Sequence, residues 1–494
     1  MNNKQHYLDT AAGEGEKEAS MMVAIPGSEL TSLLLEQRLE EQTYFTEGEI
    51  DYIPEDGGFF FSCKKDEEEL RFYIALVDSD PEYTINPYFA TDPINPYFAT
   101  DPISPELYAE ASAAPQAVIV ECLFQGQPLV NYLQQLKVIQ ILVPDLLLGL
   151  DISAAGKVFT REWLNFQLID DLMPSIDSLY VVHAIYDQED NEDKPEEERA
   201  PTMYWFHTHG LARCGLSEAE IIIPHPIASY YGIPELFWSF VNNSITHGKI
   251  VFNEPIFIGQ TQTGYEYLVA VPFEEGLLHV GKSTPIDDLK PLEEMNFEFG
   301  DVSSERFMGD WHDRDESHQH PSAMLFRVTQ ENPVLESFFE GFEDQNAMMF
   351  MRTDEETADM SRKAKLRWEY FTHMLDNYGP KPVAQKKGFF AKFLGKNEEA
   401  EDSEWRFLVK CGIGYHDAEE DFDGHEHMWF EPVSWHGDQF EGRLINHPFY
   451  VQNMQEGEVY PLTRDDITDW TIYFQDGSYT PDTIYKLLSG TQVH

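Results

Sequence analysis

Apolar residues in this chain come in short runs, some alternating and some continuous, set apart by acidic and proline- or glycine-containing stretches. Leu30, Leu33, Leu34, Leu35 and Leu39 recur at helical spacing and predict a helix opening at Ser28, whose hydroxyl suits the N-cap. Residues 59–63 and 72–77 flank an acidic turn and predict two strands, so the N-terminal part reads as a small α+β unit. From residue 118 the pattern becomes strand (118–124), helix (129–141), strand (146–151) and helix (161–169). Strands are expected next at 179–186 and 203–209, then a buried helix near Pro234, a residue suited to a first helical turn. Further strands at 250–252, 256–258 and 265–271 complete this central region. Beyond it the pattern predicts a strand at 324–328, a helix from Asp354 to about Leu375, and short strands at 406–411, 428–433, 440–445 and 471–474. The fold class is α+β: a multidomain chain of mixed α/β units with a β-rich C-terminal module.

The length of 494 residues asks for about three ordinary domains. The expected divisions are a disordered acidic tail (1–20), a small α+β domain (21–104), a central α+β domain (105–285), an extension with a long helix (286–380), a linker (381–404) and the C-terminal module (405–494). Residues 85–93 and 94–102 are an identical tandem repeat, INPYFATDP. Two prolines per copy oppose ladder pairing, which predicts an exposed loop lengthened by duplication. The stretch 187–199, rich in Asp and Glu, reads as solvated. In the linker, Phe389, Phe390, Phe393 and Leu394 would share a helical face, as a docking helix requires, but Gly388 and Gly395 weaken that helix.

Charge narrows the function classes. Against 89 acidic residues stand 33 basic ones, a formal net charge of −56. Such a surface repels nucleic acid and anionic lipid and favours a basic protein partner, so a protein partner is expected and nucleic acid is not. The 42% hydrophobic content separates the chain from disordered acidic proteins. Four well-separated cysteines without a CxxC fit a reducing compartment. The first twenty residues hold no apolar signal core, and the apolar run 138–150 is broken by Gln140, Pro144 and Asp145. A cytoplasmic location without membrane insertion is the expectation.

Candidate chemistry concentrates in residues 204–223, YWFHTHGLARCGLSEAEIII. On a strand, His207 and His209 project from one face, roughly 6–7 Å apart, a workable start to a metal site. The plainer reading has both histidines hydrogen-bonded within a sheet, with Gly210 and Gly215 in turns. Residues 276–283, GLLHVGKS, match the phosphate-loop pattern GxxxxGK[ST], yet Thr284-Pro285 and Pro291 deny the lysine the helix it should open, and a hairpin or strand suits the segment better. His318/His320 and His425/His427 form two more His-x-His pairs, expected to bind metal adventitiously at most. The segment 421–424 is too short for an EF-hand loop. There is no GxSxG, HExxH or GxGxxG.

The order His207-x-His209, seven residues, Ser217, two residues, Glu220 is similar to the JAMM zinc isopeptidase signature HxH-x7-S-x2-D. That resemblance implies His207, His209 and Glu220 as zinc ligands and Ser217 as an aid to the tetrahedral intermediate. It also implies an upstream glutamate that activates zinc-bound water, for which Glu121 is the candidate. The chain departs from the pattern in Glu220 for aspartate, in Gly210 for the usual proline, and in a strand-like Ile221-Ile222-Ile223 where that family continues as a helix. Towards the C-terminus, Glu426-His427-Met428-Trp429-Phe430-Glu431, then Gly442, Asn446, Pro448, Gly457-Glu458-Val459 and Asp469-Trp470 resemble a bacterial domain of unknown function numbered 2314. The HTHGL segment from His207 and the Leu142–Leu146 segment resemble the bacterial family numbered 4026. These resemblances imply a multidomain cytoplasmic bacterial protein and carry no activity with them. Two functions follow. The first is a non-enzymatic interaction protein of immunity or inhibitor type, without cofactor. The alternative is a zinc-dependent, JAMM-like peptidase or isopeptidase using His207, His209, Glu220 and Ser217.

Overall fold

Ala19–Pro26, an apolar run without alternation, forms strand β1 near the centre of the first sheet in the computed structural model. Central burial explains the missing alternation, since from Met22 onward both faces of the strand are buried. The structure describes residues 3–53, 57–78, 99–169, 172–188, 201–227, 232–261, 264–295, 321–328, 333–337, 348–350, 352–379, 405–417, 422–475 and 477–490. It divides into two units, Met1–Met351 and Arg352–His494. The three sheets are mostly antiparallel and the C-terminal unit is β-rich, so the class is α+β as the pattern implied.

The first sheet comprises β1, β2 (Thr46–Tyr52), β3 (Phe59–Lys65), β4 (Glu68–Asp78), β5 (Gln116–Leu123), β6 (Leu146–Asp151) and β7 (Lys157–Thr160). They run in the order β2-β3-β4-β5-β1-β6-β7. The division expected at 104/105 falls between β4 and β5, which are neighbours paired from Phe72↔Cys122 to Asp78↔Gln116. The segment expected as a tail holds helix α1 (Asn3–Ala12), because Tyr7 gives it a fully buried anchor. Helix α2 (Ser32–Glu41) starts later than the leucine spacing suggested. Thr31 is its N-cap, while the Ser28 hydroxyl donates to Asp145 instead. Helix α3 (Pro105–Ser112) covers the cluster of Val23, Ile119 and Leu150. Helix α4 (Pro128–Leu142) carries Gln135, which donates to the carbonyls of Ser20 and Val120; α5 (Arg161–Gln167) follows β7. Of the tandem repeat only the end of the second copy is described. There Ala99 bridges Val158 and Thr100 N–H donates to its carbonyl, so this end ties onto the sheet edge.

The second sheet holds the candidate site. Its strands are β8 (Val181–Gln188), β9 (Pro201–His209), β10 (Glu218–Ile223), β11 (Ile256–Thr261), β12 (Gly264–Pro272), β13 (Thr284–Pro285), β14 (Ser322–Val328), β15 (Val334–Glu336) and β16 (Met348–Phe350). The main order is β16-β11-β12-β14-β10-β9-β8, which leaves β8 at an edge. Helix α6 (Ile233–His247) includes the expected Pro234 turn, and the strand expected at 250–252 is reduced to a single bridge, Phe252↔Ala270. The GLLHVGKS segment is neither a hairpin nor a phosphate loop. A short helix, α7 (Phe273–Gly276), ends where a phosphate loop would need one to start, and turns follow. A Cβ at Gly276 would come within 2.7 Å of the Met324 side chain, so glycine serves close packing there.

In the C-terminal unit, β17 (Trp405–Asp417), β18 (Phe422–His436), β19 (Gln439–Leu444), β20 (Val459–Thr463), β21 (Ile467–Phe474) and β22 (Gly477–Tyr479) form a sheet ordered β20-β19-β18-β17-β21-β22. The long helix expected before it is two, α8 (Asp354–Leu366) and α9 (Trp368–Tyr378). They part at Arg367, whose buried guanidinium donates to Pro481 O and Asp482 Oδ1. Trp368, Phe371 and Trp470 build the core between these helices and the sheet, and α10 (Tyr485–Gly490) closes the described chain.

Candidate metal centre

Cross-strand register assembles the site. His207 on β9 stands opposite His183 on β8, and His209 opposite Val181. Alternation places His183, His207 and His209 on one face, so a pair within one strand becomes a trio across two. Their nitrogens lie within 4.8 Å of one another, and ring centroids are 4.8–5.3 Å apart. His207 and His209 are buried, and His183 is half-buried at the sheet edge. Nitrogens bound at 2.0–2.1 Å to one tetrahedral zinc would be about 3.4 Å apart. Small ring rotations would therefore close the trio onto an ion. Three imidazoles make a donor set that suits zinc and leaves a fourth position for water.

The end of β9 is held firmly. Glu218 Oε2 accepts from the Thr208 hydroxyl at 2.6 Å, and Oε1 accepts from the amides of Gly210 and Leu211 at 2.9 and 2.8 Å. Burial pushes the Glu218 carboxyl up, and these bonds pull it partly back. Gly210 has φ +120°, and a Cβ there would meet Leu179 O at 2.3 Å. Proline, with φ fixed near −65°, could not stand here, which accounts for one departure from the JAMM pattern. Just beyond, Arg213 makes a bidentate, fully buried pair with Asp151 at 3.0 and 2.9 Å and donates to Ser20 Oγ and Leu179 O. This pair joins the loop after the histidines to β6 of the first sheet.

Glu220 is the register partner of His207 and is buried; Oε2 accepts from Trp205 Nε1 at 2.8 Å and Oε1 from Ser322 Oγ at 2.5 Å. Ser217 precedes β10, and its hydroxyl is hydrogen-bonded to His6 Nε2 of α1 at 2.9 Å. Glu121 is on β5 of the first sheet, whereas the trio is on the second. In the C-terminal unit, Glu426 accepts from the amides of Phe449, Tyr450 and Val451 and so anchors that loop, on the opposite side of β18 from His425 and His427. His427 Nδ1 is bonded to Thr468 Oγ1 at 3.1 Å, and burial, with Lys410 next, disfavours its protonation. His318, His320, the linker 381–404 and most of the acidic stretch after β8 lie outside the described residues. All four cysteines are buried and free. Among the described residues no helix is long and apolar enough to cross a membrane.

Comparison with known proteins identifies the parts. Residues 20–174 match the family model "Protein of unknown function (DUF4026) N-terminal" and residues 182–326 its C-terminal counterpart. Residues 357–492 match "Uncharacterized protein conserved in bacteria (DUF2314)". The chain is similar to "Uncharacterized protein YegJ" of Escherichia coli (strain K12), 32% identical over 82 residues, 17% of this chain and 50% of that protein. The chain thus spans about half the length of this curated relative. No solved structure matches. The two DUF4026 models together cover more than half of the sequence and the third covers most of the C-terminal unit: the chain belongs to the DUF4026 family and carries a DUF2314 domain at its C-terminal end.

Proposed function

We propose that the DUF4026 part is a zinc protein whose ion is held by His183, His207 and His209. The carrying observation is the convergence of three imidazoles from two adjacent strands on one sheet face. An open fourth position on such an ion lowers the pKa of bound water towards neutrality, which supports hydrolysis of peptide or isopeptide bonds as the activity. In this arrangement Glu220 stands next to the ligands, already engaged by Trp205 and Ser322. Elemental analysis of the purified chain tests the reading. About one zinc per chain is expected, lost in His183→Ala and in His209→Ala; metal-free protein with an unchanged melting curve in both variants would sink it.

A second reading rests on the net charge of −56: a cytoplasmic interaction protein that holds a basic partner. It predicts capture of a basic protein with affinity that falls steeply between low and physiological salt. Binding indifferent to salt would count against it.

A further inference from the structure

Trp205 lies two residues before His207 on the same face of β9, and its indole rests against the imidazole, with centroids 4.1 Å apart and planes tilted by 32°. The indole is tethered. Its Nε1 donates to Glu220 Oε2 at 2.8 Å, and the buried Glu220 also accepts from Ser322 Oγ at 2.5 Å. Ser322 is held in turn by Tyr7 of α1, whose single hydroxyl proton is shared between Glu274 Oε2 at 2.8 Å and the Ser322 carbonyl at 3.1 Å. Turning the indole away would leave a buried carboxylate short of a donor, which costs the full desolvation of that oxygen. With the indole held on one side, His207 keeps the ring orientation that aims it at His183 and His209.

We propose that Ser322, Glu220 and Trp205 form an orienting chain for the metal ligand His207, with Trp205 a positioning residue and Glu220 acting through it. This rests on the zinc reading above. It assigns Glu220 a role other than ligation, and it gives α1 a part in supporting the site through Tyr7. Groups that orient metal-bound histidines typically govern affinity by 10- to 100-fold when removed.

The test is zinc affinity of the full chain, measured by competition with a chromophoric chelator, beside the visible spectrum of the cobalt(II) form as a readout of ligand geometry. Trp205→Phe and Glu220→Ala are expected to bind zinc about 10- to 100-fold more weakly and to alter the cobalt spectrum, while melting cooperatively in chelator. Glu220→Gln keeps an acceptor for the indole and a donor for Ser322, and is expected to hold zinc nearly as well as the unaltered chain. Should Trp205→Phe bind zinc with undiminished affinity and the same cobalt spectrum, the orienting role is overturned and the zinc site stands. A Glu220→Gln variant as weak as Glu220→Ala would also overturn it, since Glu220 would then act through its charge and not through its hold on the indole. If the unaltered chain takes up neither metal, the zinc reading itself has failed, and the two failures are told apart.

Discussion

Asp469 shows how a single half-buried carboxyl sets a pH response. Burial pushes it up to about 6, and Arg352, Lys410 and the Trp470 amide oppose that rise without cancelling it. Between the ordinary aspartate value near 4 and about 6, the folded chain keeps a proton that the unfolded chain has released. Stability contributed by this group is therefore largest at low pH and is lost as pH rises through that window. Asp469→Asn should make the C-terminal unit more stable at pH 7 by about 1–3 kcal/mol, with the gain shrinking towards pH 4. Denaturation of both chains across that range checks it; a gain independent of pH would refute the titration argument. At this scale the site was half legible. His207 and His209 declare themselves by alternation within one strand. His183 does not, because its pairing with His207 depends on register across β8 and β9, which no local spacing encodes. A histidine at an alternating position of the neighbouring predicted strand was the only available signal. Likewise Glu220 was visible by spacing, but its bonds to Trp205 and Ser322 depend on three strands meeting.

At the scale of elements, strong periodicity was legible and context was not. The strands around residues 59–77, 118–124 and 203–209 and the helix over Pro128–Leu142 stood out because each carries a continuous or alternating apolar signal. Strand β2 was hidden because TEGEIDY is nearly all polar and is a strand only by pairing with β3 at the sheet edge. The break at Arg367 depends on Asp482, more than a hundred residues away. The connection between the two sheets of the first unit is of the same kind: Arg213, after β9, and Asp151, at the end of β6, neutralise each other fully buried. Removing one charge strands the other in a dry interior. Asp151→Leu alone is expected to cost about 3–5 kcal/mol, and Asp151→Leu with Arg213→Met should recover most of the loss. Chemical denaturation of the three chains decides this; a double variant no more stable than the single one would show that the pair's hydrogen bonds, not its unpaired charge, dominate.

Across the whole molecule, two units each carry their own core: Val23, Ile119, Val271 and Phe326 belong to cores of the first, and Trp368, Phe371 and Trp470 to that of the second. The boundary between the units falls in the gap between the family matches, with the DUF4026 matches ending at 326 and the DUF2314 match beginning at 357. A ligand that binds only a folded unit stabilises that unit and no other, by about 2.7 kcal/mol when free ligand is at a hundred times its dissociation constant. The three histidines all lie in the first unit. Thermal unfolding of the full chain should therefore show two transitions, and excess zinc should raise one of them by several degrees while leaving the other where it was. Residues 352–494 expressed alone should reproduce the transition that zinc does not move. A single transition that shifts as a whole with zinc would mean that the units unfold together, and a zinc-induced rise in the transition of the isolated C-terminal unit would point to metal binding there, with His425 and His427 as the candidates.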